Sequence, residues 1–264
     1  VARMIMFGTE CLNKEPYVNA KAGILVPEES IVNYREVAES YKEEILSNGG
    51  KIDFNSEVVS VTRNKNISGL NIVSGEFIDF DILICSTGLY SDKIAKKCNI
   101  DIQNKKIIPF RGEYFLMKPG FEYLVKGLIY PVPNPSFPFL GVHFTKMIDG
   151  SVEAGPNAVL ALAREGYSWR IFNMNEFLES ISYIGLQKFI VKYPLITLGE
   201  VYRSLFKDIF VKSLQRLIPA IKANMIMPGN SGIRAQLMNQ DGGLEQDFDI
   251  RISDNIISIL NAPS

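Results

Sequence analysis

Apolar Val37, Tyr41 and Ile45 recur every four residues, which predicts an amphipathic helix over about 33–48. Glu36 sits in its first turn and Gly49-Gly50 supplies the stop. Residues 1–27 before it are mixed, with turn signals at Glu15-Pro16 and Val26-Pro27. Residues 51–62 read as extended chain: Ile52 and Phe54 alternate ahead of Val58, Val59 and Val61. Turns at 64–66 and at Ser74-Gly75 then divide short strands into a meander. Residues 80–85 (FDILIC) differ in being apolar on both faces, the pattern of a parallel strand buried between layers. They run into Ser86-Thr87-Gly88 and a short helix near 91–97. Strand, small residues, helix is how an α/β sheet presents a ligand crevice at its carboxyl edge. A tight turn that needs a glycine fits the same residues.

From 107 to 159 the pattern is mostly β and dense in proline, a residue of strand starts and edges. In a strand over 139–145, alternation puts Phe139, Gly141, His143 and Thr145 on one face and Leu140, Val142 and Phe144 on the other. The second face is a core face; the first is small and polar, as a cavity-lining strand is. Residues 176–222 read as helical. Over 177–228 seven basic residues (Lys188, Lys192, Arg203, Lys207, Lys212, Arg216, Lys222) face three acidic ones (Glu179, Glu200, Asp208). Such a stretch lies on a membrane surface or forms a solvated helix pair on a sheet, and the second is the favoured expectation. The tail from Ser231 reverses the sign, with five acidic residues against Arg234 and Arg251.

Composition adds mainly exclusions. The 264 residues are 47% hydrophobic and 22% charged, ordinary for a globular chain of one or two domains. A net charge of −1 leaves no footprint for nucleic acid. No apolar run approaches the 18 or so residues of a membrane-spanning helix. Cys11, Cys85 and Cys98 are odd in number and lack zinc-like spacing, which fits a reducing compartment. The start, Val1-Ala2-Arg3-Met4, has no signal-peptide pattern, so the expectation is a cytoplasmic chain. Neither common phosphate-cradling loop (G-x-G-x-x-G or G-x-x-x-x-G-K-[ST]) occurs, nor G-x-S-x-G, and no metal-ligand spacing is present.

Few residues are left to carry chemistry. His143 is the only histidine, so imidazole catalysis must use it, although a lone strand histidine is more often structural. Arg111 and Arg234 each sit beside glycine in apolar surroundings, where an arginine usually faces a carboxylate of the protein or of a ligand. Glu113 is the ready partner of Arg111, which makes that pair structural. Arg234 has no acidic residue within six positions, which tips it towards a ligand, and Tyr130 has a hydroxyl to offer the same anion. Asp241-Gly242 is a turn first and a site second.

Four stretches then stand out together: IIPFRGEYFLMKP (107–119), LIYPVPNPSFPFLGVHFTKMIDGSVEAGPNAVLALAREGY (128–167), GIRAQLMNQDGGLEQDF (232–248) and NAPS (261–264). With LNKEPYVNAKAGILVPEESIVNYREV (12–37) and STGLYSDKIAKKCN (86–99), they strongly resemble the FAD-dependent L-2-hydroxyglutarate dehydrogenases/oxidases, members of the D-amino-acid-oxidase/glycine-oxidase superfamily. The resemblance covers roughly residues 11–264. FRGEYF and GVHFTKMIDGSVEAGPNAV are its most specific motifs.

The resemblance implies an α/β (α+β) two-domain flavoprotein fold. Residues 28–106 and 229–264 would form a partial, Rossmann-like FAD-binding domain, and 1–27 and 107–228 a substrate-binding domain with a mixed sheet and helices. Compared with the family, the chain lacks the Gly-rich dinucleotide loop and is cut within the NAPSP-type flavin loop, so it reads as a fragment whose retention of FAD is open. Carried over residue by residue, Val58 lies by the adenine side of FAD, and Thr87 and Gly88 lie by the dinucleotide crevice. Asp241-Gly242 adjoins the cofactor, and Asn261 begins the loop over the isoalloxazine. Arg234 and Tyr130 bind the substrate's C1 carboxylate, and Arg111 is a possible holder of the distal one, with Glu113 its rival. His143 is the candidate base. The implied reaction takes L-2-hydroxyglutarate to 2-oxoglutarate by hydride transfer to flavin, with electrons passed to a quinone or O₂. The basic 177–228 stretch would be a membrane-surface contact for the quinone, at the inner face of a membrane. The alternatives are a related amino-acid or glycerol-3-phosphate oxidoreductase, and a truncated chain without catalysis.

Overall fold

A computed structural model describes residues 4–63, 68–133 and 141–262. The chain divides into two compact units, each described separately. The first comprises residues 1–40, 111–159 and 194–232; the second comprises 41–110, 160–193 and 233–264. This division differs from the expected domains chiefly at 28–40 and 160–193. Residues 160–193 belong with 41–110 because buried Arg164 grips Asp92, with guanidinium nitrogens 2.8 and 2.9 Å from the two carboxylate oxygens.

A six-stranded sheet, most of it in the first unit, runs in the order Val159–Leu160, Lys106–Met117, Val152–Gly155, His143–Lys146, Leu128–Ile129, with Ile226–Met238 also paired to Lys106–Met117; residues 106–110, 160 and 233–238 of its strands are counted with the second unit. Val152–Gly155 is antiparallel to His143–Lys146, Gly155 opposite His143, and Leu128–Ile129 is antiparallel to the same strand. Val142 and Phe144 point into a core with Val152, Ala154, Phe210, Val211, Leu214, Ile218 and Ile221, as the alternation at 139–145 requires. The strand itself covers His143–Lys146; Phe139 and Leu140 lie outside the described residues, as does the turn at 64–66. A two-stranded antiparallel sheet, Met4–Phe7 with Ala22–Leu25, flanks the helix Thr9–Lys14 in sequence.

In the second unit, Leu83–Cys85 pairs parallel with Ile256–Asn261, which pairs antiparallel with Asp249–Ser253. Residues 80–85 thus supply a parallel strand, but one of its two apolar faces stays in solvent: Ile84 is 62% exposed while Cys85 is 4% exposed. Among the described residues only the Cys85 side is covered, by a core of Ala95, Cys98, Ile100, Ile256 and Leu260. The meander is Val58–Arg63, Ser68–Ile72 and Phe77–Asp79. Residues 51–57, expected to be extended, form no strand, and Asn55 takes a left-handed conformation (φ 57°) that breaks the extension.

The helix expected at 33–48 spans Tyr34–Ser47. Asn33 starts it, its Oδ1 accepting from Arg35 N at 3.2 Å and its Nδ2 donating to Glu36 Oε1 at 2.7 Å. None of its residues is buried, so the apolar stripe through Tyr41 and Ile45 faces outward rather than into a core. The region 176–222 resolves into four helices, Met174–Ile181, Ile184–Lys192, Pro194–Leu205 and Lys207–Leu214. Asn173 caps the first by accepting from Asn175 and Glu176 N–H groups.

Candidate functional site

Two of the candidate residues of the first unit come together. His143 opens its strand and Tyr130 follows the neighbouring strand Leu128–Ile129, so the sheet register sets their rings face to face. The centroids are 4.1 Å apart with the planes 18° from parallel. His143 is 8% exposed, and its Nδ1 lies 3.2 Å from the carbonyl oxygen of Gly141. A carbonyl only accepts, so Nδ1 carries the proton and, in the neutral ring, Nε2 is the basic nitrogen. Tyr130 is half exposed and so open to a ligand.

Arg111 is completely buried, and its Nε and Nη2 lie 3.1 and 2.9 Å from Glu113 Oε1. The other Glu113 oxygen accepts from Asn157 Nδ2 at 2.8 Å and from the Ser204 hydroxyl. This is the protein-carboxylate alternative for Arg111; the geometry leaves it no exposed donor for a distal substrate carboxylate. Nearby in sequence, buried Glu200 accepts from Ala158 N at 3.0 Å and pairs with Arg203. Burial pushes its carboxyl above the usual range, against the pull of Arg203.

In the second unit, Ser86, Thr87 and Gly88 are exposed at the carboxyl end of the parallel strand Leu83–Cys85. Gly88 has φ +50°, and a Cβ built there would meet nothing within 4 Å, so open space adjoins the turn. The short helix Ser91–Lys97 follows, tied to the last strand by Ser91 Oγ donating to Leu260 O at 2.9 Å. Val58 is half-buried at the head of its strand, its carbonyl accepting from Lys97 Nζ at 2.8 Å. Arg234 is half-buried in Ile226–Met238, and its guanidinium has no hydrogen bond or ion pair with another described residue.

The two remaining cofactor candidates are occupied within the protein. Asp241 Oδ1 accepts from Gly243 N at 2.8 Å, and Gly242 (φ +86°) presses on Gly185 O and Phe189 N, where a side chain would collide at 3.0 and 2.9 Å. Asp241-Gly242 is therefore a packed turn, as its residue types first suggest. Asn261 is buried, with its amide donating to Asp247 O at 2.7 Å; Pro263 and Ser264 lie outside the described residues.

An ion-pair network went unread in the sequence. Besides Asp92, Arg164 bonds the Leu89 carbonyl, and Glu176 accepts from its backbone N–H at 2.8 Å. Glu179 is ringed by Arg164, Lys106 and Lys93 at 3.7, 3.2 and 3.4 Å. Tyr90 donates to Glu165 at 2.9 Å, and burial with that bond pushes its phenol up to about 12. These contacts brace the turn carrying Thr87 and Gly88. Arg164 and Asp92 are 72 positions apart, so no local spacing could pair them.

The parallel strand ending in an exposed small-residue turn is an α/β ligand-binding arrangement, and comparison with known proteins agrees. The profile of the FAD dependent oxidoreductase (DAO) family matches residues 2–257, and the chain belongs to that family. It is 47% identical over 250 residues to an L-2-hydroxyglutarate dehydrogenase of Indibacter alkaliphilus, a match covering 95% of this chain and 62% of that protein. With the L-2-hydroxyglutarate dehydrogenase of Escherichia coli K12 the identity is 38%, covering 97% of this chain and 60% of the relative. The chain thus spans about three-fifths of the length of these curated relatives. Among solved structures, the FAD-bound L-alpha-glycerophosphate oxidase of Mycoplasma pneumoniae superposes with a TM-score of 0.69 at 17% identity, over 97% of this chain and 58% of that one, a likeness of fold alone.

Proposed function

We propose that this protein serves the FAD-dependent oxidation of L-2-hydroxyglutarate to 2-oxoglutarate. The observation that carries the reading is the orientation of His143: a buried imidazole whose Nδ1 donates to the Gly141 carbonyl, which makes Nε2 the basic nitrogen of the neutral ring. The names of the relatives supply the substrate.

Oxidation at C2 removes a proton from the hydroxyl and a hydride from the carbon. Nε2 of His143 takes the hydroxyl proton, help typically worth about 10²–10⁴-fold in rate. Stacking on Tyr130 keeps the ring in one plane, and the Tyr130 hydroxyl is available to an anionic substrate. In the second unit, the guanidinium of Arg234, which pairs with no other described residue, suits a carboxylate, which it can grip through two parallel bonds.

The residues fit the cofactor on one side: the exposed Thr87-Gly88 turn leaves open space at the end of a parallel strand, and Val58 heads the adjoining meander. Bound there, FAD would supply the hydride acceptor, chemistry that belongs to the cofactor. The electrons then go to a quinone or to O₂.

The test is a visible spectrum of the purified chain with FAD, followed anaerobically by L-2-hydroxyglutarate. Bleaching of a bound-flavin spectrum, lost in His143→Ala while flavin stays bound, is the expected result. Bound flavin bleached by glycine or glycerol 3-phosphate but not by the hydroxy acid overturns the substrate, and unaltered bleaching in His143→Ala overturns the base.

A further inference from the structure

Two buried thiols of the second unit stand at opposite ends of one segment. Cys85 ends the strand Leu83–Cys85, and Cys98 caps the C-terminus of the helix Ser91–Lys97. Between them run the exposed Ser86–Gly88 turn and that helix, which folds back on the strand. The return brings the thiols into hydrogen-bond contact, within the core that includes Ala95, Ile100 and Leu260. Cys85 and Cys98 are 4% and 2% exposed. The third thiol, Cys11, belongs to the first unit and donates instead to Met6 O at 3.5 Å.

The surroundings of this pair differ from those of an inert core cysteine. The bond from Cys85 holds the Cys98 thiol below its ordinary value, against burial and with help from the Arg63 guanidinium. The same bond, together with burial, pushes the Cys85 thiol up. Thiolate character therefore falls to Cys98, and the thiolate is the reactive form. Ser258 lies beside Cys85 in parallel register, on the covered side of the sheet. Its hydroxyl, fully buried, has no hydrogen-bond partner among the described residues, so a donor is free for negative charge forming on the neighbouring sulfurs. Cover over Cys98 is thin along the chain. Lys96, Lys97 and Asn99 are exposed, and Asn99 takes the left-handed conformation (φ 55°) that ends the helix. The end of so short a helix opens locally before the core does, which admits an oxidant close to water in size.

We propose that Cys85 and Cys98 are a redox pair, which hydrogen peroxide joins in an intrachain disulfide clamping both ends of residues 86–97. The Cys98 thiolate attacks one peroxide oxygen and the O–O bond breaks. Cys98 becomes a sulfenic acid, and the departing hydroxide takes the proton that Cys98 gave up, forming water. The Cys85 sulfur then attacks the Cys98 sulfur. The S–S bond forms, the S–O bond breaks, and the second hydroxide leaves as water with the Cys85 proton. In sum, two thiols lose two electrons and two protons, and peroxide is reduced to two waters. The link ties down the segment that carries the Ser86–Gly88 turn, so local opening there slows. The inference concerns the chain's own thiols and does not rest on the reaction assigned above.

The experiment treats the whole 264-residue chain, fully reduced, with hydrogen peroxide and then alkylates it in denaturant for mass spectrometry. One free thiol is expected in place of three, with a mass lower by two hydrogens and a peptide linking Cys85 to Cys98. Dithiothreitol is expected to reverse all of this, and the far-ultraviolet circular dichroism spectrum to stay unchanged throughout. Hydrogen exchange at 86–97 is expected to slow by about threefold or more in the oxidised chain, with exchange at 142–154 unaltered. Two variants check the order of attack. Cys85→Ser is expected to trap a sulfenic acid on Cys98 that dimedone labels, and Cys98→Ser to leave Cys85 unlabelled. Three free thiols after peroxide, oxygen added to single cysteines in place of the link, or a bridge to Cys11 or between two chains overturns the inference. Unaltered exchange at 86–97 overturns it as well, as does dimedone labelling of Cys85 in Cys98→Ser with none in Cys85→Ser.

Discussion

The two units reach stability by different routes. In the first, the sheet face of Val142, Phe144, Val152 and Ala154 is sealed by Phe210, Val211, Leu214, Ile218 and Ile221, and buried polar groups gather in small clusters such as Arg111, Glu113 and Asn157. In the second, a smaller core around Cys85, Ala95 and Leu260 covers one side of a three-stranded sheet, while Ile84, Ile250 and Ile252 remain exposed. Ion pairs supplement it: Arg164 with Asp92, and Lys105 with Asp249 and Glu245 at 2.7 Å each. Burial of apolar area scales with what is covered. A sheet covered on one side must draw more on paired charges, and such pairs depend on both partners and on pH.

The largest effect should come from the sealed core. Phe144→Ala leaves a cavity where no atom reaches solvent and is expected to cost about 3–5 kcal/mol in urea unfolding, with loss of hydrogen-exchange protection across 142–154. A cost near zero would mean that this core is not what holds the first unit.

Removing one member of the buried pair in the second unit comes next. Arg164→Met strands the Asp92 carboxylate, with an expected cost of about 3 kcal/mol, felt by the single tryptophan, Trp169, in the same unit. If Trp169 fluorescence melts at the wild-type urea concentration, ion pairing does not support that unit.

Acid should separate the units. Burial holds Glu200 and Glu153 of the first unit above the usual carboxyl range, with Asp149 adding to the shift of Glu153. In the second unit, burial of Asp249 and Glu179 is outweighed, by Arg251 and Lys105 at Asp249 and by Lys106, Lys93 and Arg164 at Glu179; both carboxyls end below the usual range. Glu245 is lowered chiefly by its bond from Lys105. A raised folded-state value means stability present at low pH and lost as pH rises through it. A lowered one means stability present above the ordinary carboxyl range and lost as pH falls through the lowered value. Exposed Glu122 and Asp149 of the first unit are lowered too, but they stand in screening solvent. On acidification the Trp169 transition should therefore come at a higher pH than loss of exchange protection at 142–154. Coincident transitions would erase the contrast.

The smallest effect sharpens the comparison from the other side. Ile252→Thr, on the uncovered face, should change stability by less than about 0.5 kcal/mol, read by the same urea titration. A cost several times larger would show that the face is covered in solution.

Much of this was legible in the chain. Local periodicity located the helix at Tyr34–Ser47, the parallel strand near Leu83–Cys85 and the core side of Val142 and Phe144, because helix and strand repeats are set by neighbouring residues. The small-residue turn at 86–88 and the isolation of Arg234 from acidic neighbours were equally local. Burial was not. Tyr41, Ile45 and Ile84 have the apolar pattern of core positions yet lie in solvent, since a side chain is buried only if some other segment arrives to cover it.

Local sequence thus determined the elements, the turn residues and the short list of chemical groups. Only the tertiary structure decided that Arg111 belongs to Glu113, that Asp92 is matched by an arginine 72 positions away, and that His143 stacks on Tyr130 with a defined basic nitrogen. It also decided that the helix Pro194–Leu205 turns its leucines outward. The reason is common to all four. Ion pairing, ring stacking and exposure depend on distances between segments remote in the chain, which the order of residues does not state until the fold has closed the loops between them.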